Sequence, residues 1–150
     1  ATGLLGRELV AELLRRDLEV VALVRRRSED LPKAVEQVVG DLALPSLGLD
    51  LGCLECDAVV HSGAQVNWAL TYAQLRQTNV VGTWEVVRFC ATRGLPLHYI
   101  STISVANGES GLLDRRLARN PYVLTKLIAE AYVRKAQVLG LPGAIHRPGM

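Results

Sequence analysis

Short runs of β-branched residues alternate with longer amphipathic stretches along this chain, and the alternation limits its fold more than any other feature. The β-branched runs predict five strands, at residues 19–24, 35–39, 58–61, 97–103 and 143–146. Apolar residues at helical spacing predict three helices, at residues 4–16, 72–92 and 121–139. Strands that alternate with helices form βαβ units, so the sequence predicts an α/β fold with a doubly wound parallel sheet.

The length and the charge of the chain narrow its class. The 150 residues leave room for one domain, and 49% apolar with 21% charged residues is typical of a globular protein. The net charge of +2 is too balanced to favour nucleic acid or a membrane surface as a partner. No run approaches the ~18 apolar residues of a membrane span, and the first residues lack a signal-peptide pattern. The three cysteines form no disulfide framework, which indicates a reducing, cytoplasmic setting.

Two glycines, Gly3 and Gly6, open the first predicted helix. A sheet of this type binds ligands where its strands end, and glycines at a helix start let the backbone approach a dinucleotide pyrophosphate. The candidate cofactor-binding residues at this helix start are Thr2, Gly3, Leu4 and Leu5. The alternative interpretation is an ordinary turn with tight packing. Because no strand and no earlier glycine precede Gly3, we expect residues 1–150 to be a fragment of a Rossmann-type domain.

The residues after the strand at 19–24 bear on the choice of cofactor. A site that prefers NAD places an acidic residue here for the ribose hydroxyls, whereas this chain has Arg25, Arg26 and Arg27. A guanidinium binds a phosphate through two hydrogen bonds, so Arg25 favours NADP(H). A solvated basic corner is the alternative. After the next strand, Asp41 and Leu42 are placed to meet the adenine ring through a side chain or the backbone.

Tyr122 and Lys126 are the candidate catalytic pair. They lie four residues apart at a predicted helix start, so both project from one helix face. A free tyrosine has a pKa near ~10, and a nearby ammonium lowers that pKa by stabilising the phenolate. Thr102, in the strand at 97–103, could hydrogen-bond a substrate carbonyl, and Ser104 is the other candidate for that role.

Seven motifs follow one another along almost the whole chain. They are ATGLLGREL at 1–9, GDL at 40–42, DAVVHSGAQVNW at 57–68, NVVGT at 79–83, YISTISV at 99–105, YVLTK at 122–126 and RPG at 147–149. In this order they resemble the extended short-chain dehydrogenases/reductases. HSGAQVNW and STISV are most similar to the thioester reductase domains that end nonribosomal peptide and polyketide synthases. Carboxylic acid reductases and fatty acyl-CoA reductases share that relationship.

The resemblance implies hydride transfer from NADPH to a carbonyl. It makes Tyr122 the general acid, Lys126 the residue that holds the nicotinamide ribose, and Thr102 the group that polarises the carbonyl. The other cofactor contacts that it implies are those of Ser62, Gly63, Ala64, Asn79, Pro148 and Gly149. Asn79 is expected mainly to brace the sheet edge. Independently of the resemblance, His61 is expected to pack at the sheet rim, and Trp68 to pack or to line the substrate side.

Three functions compete. The first is NADPH-dependent reduction of an acyl thioester, held on a carrier protein or on CoA, to an aldehyde or alcohol. The second is that of an NAD(P)-dependent sugar-nucleotide epimerase/dehydratase or a hydroxysteroid-type dehydrogenase; the arginines at 25–27 argue against an NAD-using epimerase. The third is a dinucleotide-binding regulatory protein, against which Thr102, Tyr122 and Lys126 together argue.

The resemblance also implies that residues 1–150 lack two parts of a complete reductase domain. These are the first strand of the sheet and the C-terminal substrate lobe. A sheet without its first strand would expose backbone groups and apolar surface, so we expect this piece to be unstable in isolation and not to work alone as a reductase.

Overall fold

Five parallel strands form the centre of a computed structural model that describes residues 1–106 and 120–149. They are β1 (Val21–Val24), β2 (Glu36–Val39), β3 (Val59–His61), β4 (Leu97–Ile100) and β5 (Gly143–His146). The helices are α1 (Leu4–Arg15), α2 (Tyr72–Arg76), α3 (Gly82–Arg93), α4 (Ile103–Ala106) and α5 (Pro121–Val138). A π-helical turn, Gln77–Val81, joins α2 to α3, and two 3-10 turns occupy Pro45–Gly48 and Leu51–Cys53. The predicted α/β fold with parallel strands is confirmed.

One predicted strand ends earlier than expected. The sequence pattern predicts a strand at 97–103, but β4 stops at Ile100 and α4 begins at Ile103. The carbonyl oxygen of Thr102 accepts a hydrogen bond from the N–H of Val105 (3.1 Å), and this local bond turns the chain out of the ladder. The β-branched composition of the segment is therefore overridden by turn formation. The polar segment predicted at 106–120 lies almost entirely outside the described residues.

Two hydrogen-bonded ladders contain the described strands. β1 pairs with β2, and β4 lies between β3 and β5. In the three-stranded ladder, Leu97 is in register with Val59 on one side and with Gly143 on the other. Since parallel strands share one direction, the residues that follow β3, β4 and β5 meet at one edge of this ladder.

Helices α3 and α5 cover one face of the three-stranded ladder. The buried side chains of this core are Leu47, Val86, Val87, Phe89, Cys90, Leu97, Tyr99, Ala129, Val133 and Leu141. A second and smaller core lies under α1, where Val10 packs with Ala22 and Val24 of β1. Within the described ranges, no helix is both long enough and apolar enough to cross a membrane.

Leu42, just after β2, packs against the segments that follow β3. A Cβ on Gly63 would lie 2.7 Å from Leu42 Cδ1, and one on Gly82 would lie 2.6 Å from the Leu42 carbonyl oxygen. Position 82 therefore requires glycine, because a Cβ there would meet backbone, whereas at Gly63 the end of the Leu42 side chain would have to move. The contact holds the end of the two-stranded ladder against the three-stranded ladder.

Candidate active site

Tyr122 lies in the first turn of α5, and local sequence determines where this helix begins. Asn120 caps the helix, because its Oδ1 accepts hydrogen bonds from the N–H groups of Tyr122 (3.1 Å) and Val123 (3.2 Å). Pro121 occupies the first helical position, where its missing N–H removes no helical hydrogen bond. The centroid of the Tyr122 ring lies 5.9 Å from that of Trp68, which is exposed.

Lys126 follows one helical turn later and is 3% exposed. Its Nζ donates a hydrogen bond to the Ile100 carbonyl oxygen (2.6 Å) and lies 4.2 Å from the centroid of the Tyr99 ring. Burial lowers the pKa of Lys126 to about 8, and the Glu130 carboxylate opposes this shift. The ammonium is therefore mostly protonated at neutral pH and is anchored at the end of β4.

The lowered pKa expected for Tyr122 is not found. Burial raises the pKa of this phenol, because the phenolate would lose hydration. The Lys126 ammonium contacts the Ile100 carbonyl oxygen and the Tyr99 ring. A raised pKa keeps Tyr122 protonated at neutral pH, and the protonated phenol is the form that a general acid needs.

Asn79 joins the segment after β3 to α5. It is 1% exposed; its Oδ1 accepts from the N–H of Gln65 (2.7 Å), and its Nδ2 donates to the Gln65 carbonyl oxygen (3.0 Å) and to Thr125 Oγ1 (3.1 Å). Thr125 in turn donates to the Tyr122 carbonyl oxygen (2.6 Å). These internal bonds make Asn79 a brace for the candidate site, and its contact with a cofactor stays a prediction.

A hydrogen bond between His61 and Thr83 joins the end of β3 to α3. Thr83 Oγ1 donates to the Asn79 carbonyl oxygen (2.7 Å) in the π-helical turn and lies 2.9 Å from His61 Nε2. Because the single hydrogen of the Thr83 hydroxyl is used in the bond to Asn79, we assign His61 Nε2 as the donor to Thr83 Oγ1. Burial, with a smaller contribution from the charge of Lys126, lowers the pKa of His61 to about 3. This neutral imidazole is 5% exposed, which confirms the predicted packing.

Thr102 lies between β4 and α4, beside the segment that follows β5. The N–H of Ile103 donates to the Pro148 carbonyl oxygen (3.4 Å). Thr102 Oγ1 accepts a hydrogen bond from the N–H of Ser104 (3.3 Å), so its own hydrogen can be donated to a carbonyl. Thr102 and Ser104 are both partly exposed, and both stay candidates for that role.

The N-terminus of α1 presents N–H groups beside an open glycine. Gly3 is the N-cap residue, and no side chain caps the helix. A Cβ on Gly3 would meet no atom within 4 Å, whereas one on Gly6 would lie 2.6 Å from the Ala1 carbonyl oxygen. The flanking residues Thr2, Leu4 and Leu5 are exposed. Such a helix start fits an anionic pyrophosphate, because its dipole and N–H groups face the open space.

Arg25, Arg26 and Arg27 are exposed directly after β1. After β2, Asp41 is partly buried, and its Oδ1 accepts a hydrogen bond from the N–H of Ala43 (2.9 Å). This bond stabilises the turn that carries Leu42 toward the three-stranded ladder.

The remaining predicted cofactor residues follow β3 and β5. Ser62, Gly63 and Ala64 are partly exposed, and Pro148 and Gly149 are exposed. The hydrogen bonds described above connect the ends of β3, β4 and β5 to the start of α5, whereas Arg25 takes no part in them. Among the described residues, no group of three His, Cys, Asp or Glu side chains is placed to hold a metal ion.

Three residues of this network were not predicted from the sequence: Thr83, Thr125 and Glu130. Thr83 follows Asn79 by four residues, and Glu130 follows Lys126 by four, so helical spacing from a predicted site residue could have indicated both. Thr125 could not be found in this way, because its role depends on Asn79, which is distant in sequence.

A parallel α/β fold with an open glycine at a helix start and a Tyr–Lys pair beside the strand ends defines a Rossmann-type dinucleotide-binding domain. A family model for an NAD-binding domain, described as "Male sterility protein", matches residues 29–150. The chain belongs to this family.

Individual relatives agree with that assignment. A polyketide synthase-nonribosomal peptide synthetase of Aspergillus clavatus is 39% identical over 171 residues, which cover 99% of this chain and 4% of the relative. The terminal R domain of the myxalamid PKS-NRPS biosynthetic pathway is 34% identical with a TM-score of 0.84, over 99% of this chain and 46% of that domain structure.

A short-chain dehydrogenase/reductase superfamily protein from Agrobacterium tumefaciens, solved with bound NAD, is 29% identical with a TM-score of 0.77. It is matched over 97% of this chain and 46% of its own. The chain therefore spans less than half the length of each of these three relatives.

Proposed function

We propose that the protein containing this chain reduces an acyl thioester, held on a carrier protein or on CoA, to an aldehyde or alcohol with NADPH. Thioester reduction is preferred over sugar-nucleotide or hydroxysteroid chemistry because the chain is 34% identical to a terminal R domain and 39% identical to part of a polyketide synthase-nonribosomal peptide synthetase. The chain has three cysteines, and their spacing forms no disulfide framework, which is consistent with a cytoplasmic setting.

One observation supports the proposal most directly: Lys126 of the Tyr–Lys pair binds the end of β4, and Thr102 follows that same strand end. Lys126 Nζ binds the carbonyl oxygen of Ile100, two residues before Thr102 (2.6 Å). Tyr122 and Lys126 lie one helical turn apart on α5. A carbonyl that contacts Thr102 would therefore lie close to both members of the pair.

The proposed chemistry assigns one task to each of these residues. Bound NADPH supplies a hydride to the carbonyl carbon. Tyr122 donates its phenolic proton to the carbonyl oxygen to give a thiohemiacetal, and its raised pKa keeps that proton in place at neutral pH. The C–S bond of the thiohemiacetal then breaks, which releases the aldehyde and the free thiol of CoA or of the carrier. Thr102 polarises the same oxygen through a hydrogen bond. The Lys126 ammonium, with a pKa of about 8, holds the nicotinamide ribose.

We assign each part of the cofactor to residues at the start of α1 or directly after a strand. We assign the pyrophosphate to the helix start at Thr2, Gly3, Leu4 and Leu5, where the open space at Gly3 supports a close approach. Asp41 and Leu42 are assigned to the adenine ring, and the exposed Arg25 to the phosphate that distinguishes NADPH from NADH. The residues assigned to the nicotinamide half are Ser62, Gly63, Ala64, Pro148 and Gly149.

The substitution Tyr122→Phe in the intact protein tests the proposed chemistry. It removes the proton donor and keeps the ring, so we expect thioester reduction to fall by about 100-fold or more while NADPH affinity is retained. NADPH consumption with an acyl-CoA or carrier-bound thioester measures the first quantity, and a fluorescence titration measures the second.

Tyr132→Phe serves as the matched control. This tyrosine lies on the same helix, but its ring is 42% exposed and away from the pair, so reduction should be unchanged. Full activity of Tyr122→Phe would remove Tyr122 from the mechanism. Turnover of a nucleotide sugar in place of a thioester would support the epimerase alternative.

A further inference from the structure

Glu130 is a buried carboxylate that the proposed chemistry does not use. It lies on α5 one turn after Lys126 and is 2% exposed. Arg134 Nε donates to its Oε1 (3.0 Å), and Arg147 donates to both carboxylate oxygens, with Nε 3.2 Å from Oε2. Burial acts to raise the pKa of Glu130, but the hydrogen bonds from these guanidiniums hold it below its usual value. The carboxylate is therefore a fixed negative charge.

Arg147 connects this carboxylate to the segment that follows β5. It directly precedes Pro148, whose carbonyl oxygen accepts a hydrogen bond from the N–H of Ile103 (3.4 Å). Ile103 in turn adjoins Thr102. The segment after β5 is therefore held on one side by the end of β4 and on the other side by Glu130.

Tyr122 lies one helical turn before Lys126, and three further groups face the Lys126 ammonium in the described structure. Glu130 lies on the same helix, Tyr99 lies on β4, and His61 lies on β3. The two tyrosines and the histidine are neutral near pH 7, because burial raises the pKa of Tyr99 and Tyr122 and lowers that of His61. Of these groups, Glu130 alone supplies a negative charge.

We propose that Glu130 is a positioning residue of the active site, whose carboxylate holds the segment after β5 against α5 and supplies the negative charge that faces the Lys126 ammonium. The inference rests on the proposed reductase function. Glu130 acts through two neighbours: through Arg147 on the segment assigned to the nicotinamide, and through Lys126 on the ribose. Its charge and its length can therefore be tested separately.

Two substitutions in the intact protein separate these effects. Glu130→Gln keeps the shape and removes the charge, so the pKa of Lys126 should fall below its wild-type value. Glu130→Asp keeps the charge, so this pKa should stay near its wild-type value. Lysine ¹³C NMR of the unliganded protein measures the titration, and the Lys126 signal is assigned by its absence in Lys126→Arg.

Kinetics supply the second readout. The ammonium is lost as pH rises through the pKa of Lys126, so a lower pKa moves the alkaline limb of thioester reduction to lower pH. Glu130→Gln should show this displacement, by the same interval as the NMR midpoint. Glu130→Asp shortens by one methylene the side chain that binds Arg147. It should therefore raise KM for NADPH severalfold and change kcat little.

Glu85→Gln is the matched control. Glu85 is also buried and paired with an arginine of its own helix, Arg88 (2.6 Å), and its substitution should leave the Lys126 titration unchanged. An unchanged midpoint in Glu130→Gln, or an unchanged KM in Glu130→Asp, would overturn the corresponding half of the inference. If Glu130→Gln does not fold, the Glu130→Asp result still decides the anchoring half. Failure of the intact wild-type protein to reduce a thioester with NADPH would reject the function itself and leave the NMR result standing.

Discussion

At the scale of single residues, burial decides which groups around the site carry charge. His61 and Lys126 are both basic and both buried, yet only the lysine stays mostly protonated near pH 7. The ordinary pKa of a lysine, 10.5, is high enough that desolvation leaves Lys126 at about 8, whereas the pKa of His61 falls from 6.5 to about 3. The same burial therefore leaves His61 neutral and Lys126 cationic, and the lysine is the group that we assign to the ribose.

The proposed preference for NADPH over NADH rests on Arg25. Its guanidinium is exposed after β1, where it can bind a phosphate through two hydrogen bonds. We expect Arg25→Ala to weaken NADPH binding by about 10-fold to 100-fold, as for a lost hydrogen bond to a charged group, and to leave NADH binding unchanged. Titration of the intact protein with each cofactor measures both affinities.

Arg15→Ala is the control for this change in net charge. Arg15 is exposed on α1 and paired with Glu12 (2.7 Å), so its loss should affect neither cofactor. Unchanged NADPH affinity in Arg25→Ala, or equal affinity for the two cofactors in the wild type, would reject the assignment.

At the scale of secondary-structure elements, tight contacts between backbones depend on glycine. β5 begins at Gly143, whose φ is 129°, a conformation that L side chains rarely adopt. A Cβ there would lie 2.0 Å from the Leu97 carbonyl oxygen of β4. Backbone conformation and packing therefore both require glycine where β5 joins β4.

Replacement of Gly143 by alanine should therefore destabilise the protein. We expect Gly143→Ala to lower the free energy of unfolding by about 2–3 kcal/mol or more. Gly140→Ala is the control, because Gly140 also has a positive φ (102°) but its Cβ would meet no atom within 4 Å. Urea denaturation of both variants should show the larger loss in Gly143→Ala, and equal losses would mean that the contact with β4 relaxes freely.

At the scale of the whole molecule, the described strands belong to two ladders, and their buried residues form a larger and a smaller cluster. The cluster at the three-stranded ladder contains ten of the described buried residues, and that at the two-stranded ladder contains five, so the former buries more apolar surface. Leu42 connects the ladders through its contacts with Gly63 and Gly82. Stability should therefore differ between the two parts of the molecule.

Hydrogen exchange of the intact protein measures that difference. We expect the amides of β4, which is paired on both sides, to exchange at least about tenfold more slowly than those of β1 and β2. β5, at the edge of the larger ladder, serves as an internal comparison with intermediate protection. Equal protection of β1 and β4 would show that the two ladders unfold as one unit.

The sequence predicted most of the elements because their signals are local. Apolar spacing placed α1 and α5 to within a few residues, and Asn120 with Pro121 marks the start of α5. The same reasoning extended β4 to residue 103, because β-branched composition does not reveal the turn that Thr102 forms with Val105. The π-helical turn inside the helix predicted at 72–92 was also missed, since its stabilising bonds come from Gln65, Thr83 and Thr125.

What the sequence by itself determined is the order of elements, the parallel fold, and the motifs that place the chain in its family. These follow from side-chain periodicity and from residue types at fixed spacing, both of which are local. The tertiary structure alone decided the electrostatics of the candidate site. The protonation of Tyr122, Lys126 and His61 depends on how completely neighbouring strands and helices exclude water from them. Burial of this kind is created by residues distant in sequence, so no local pattern records it.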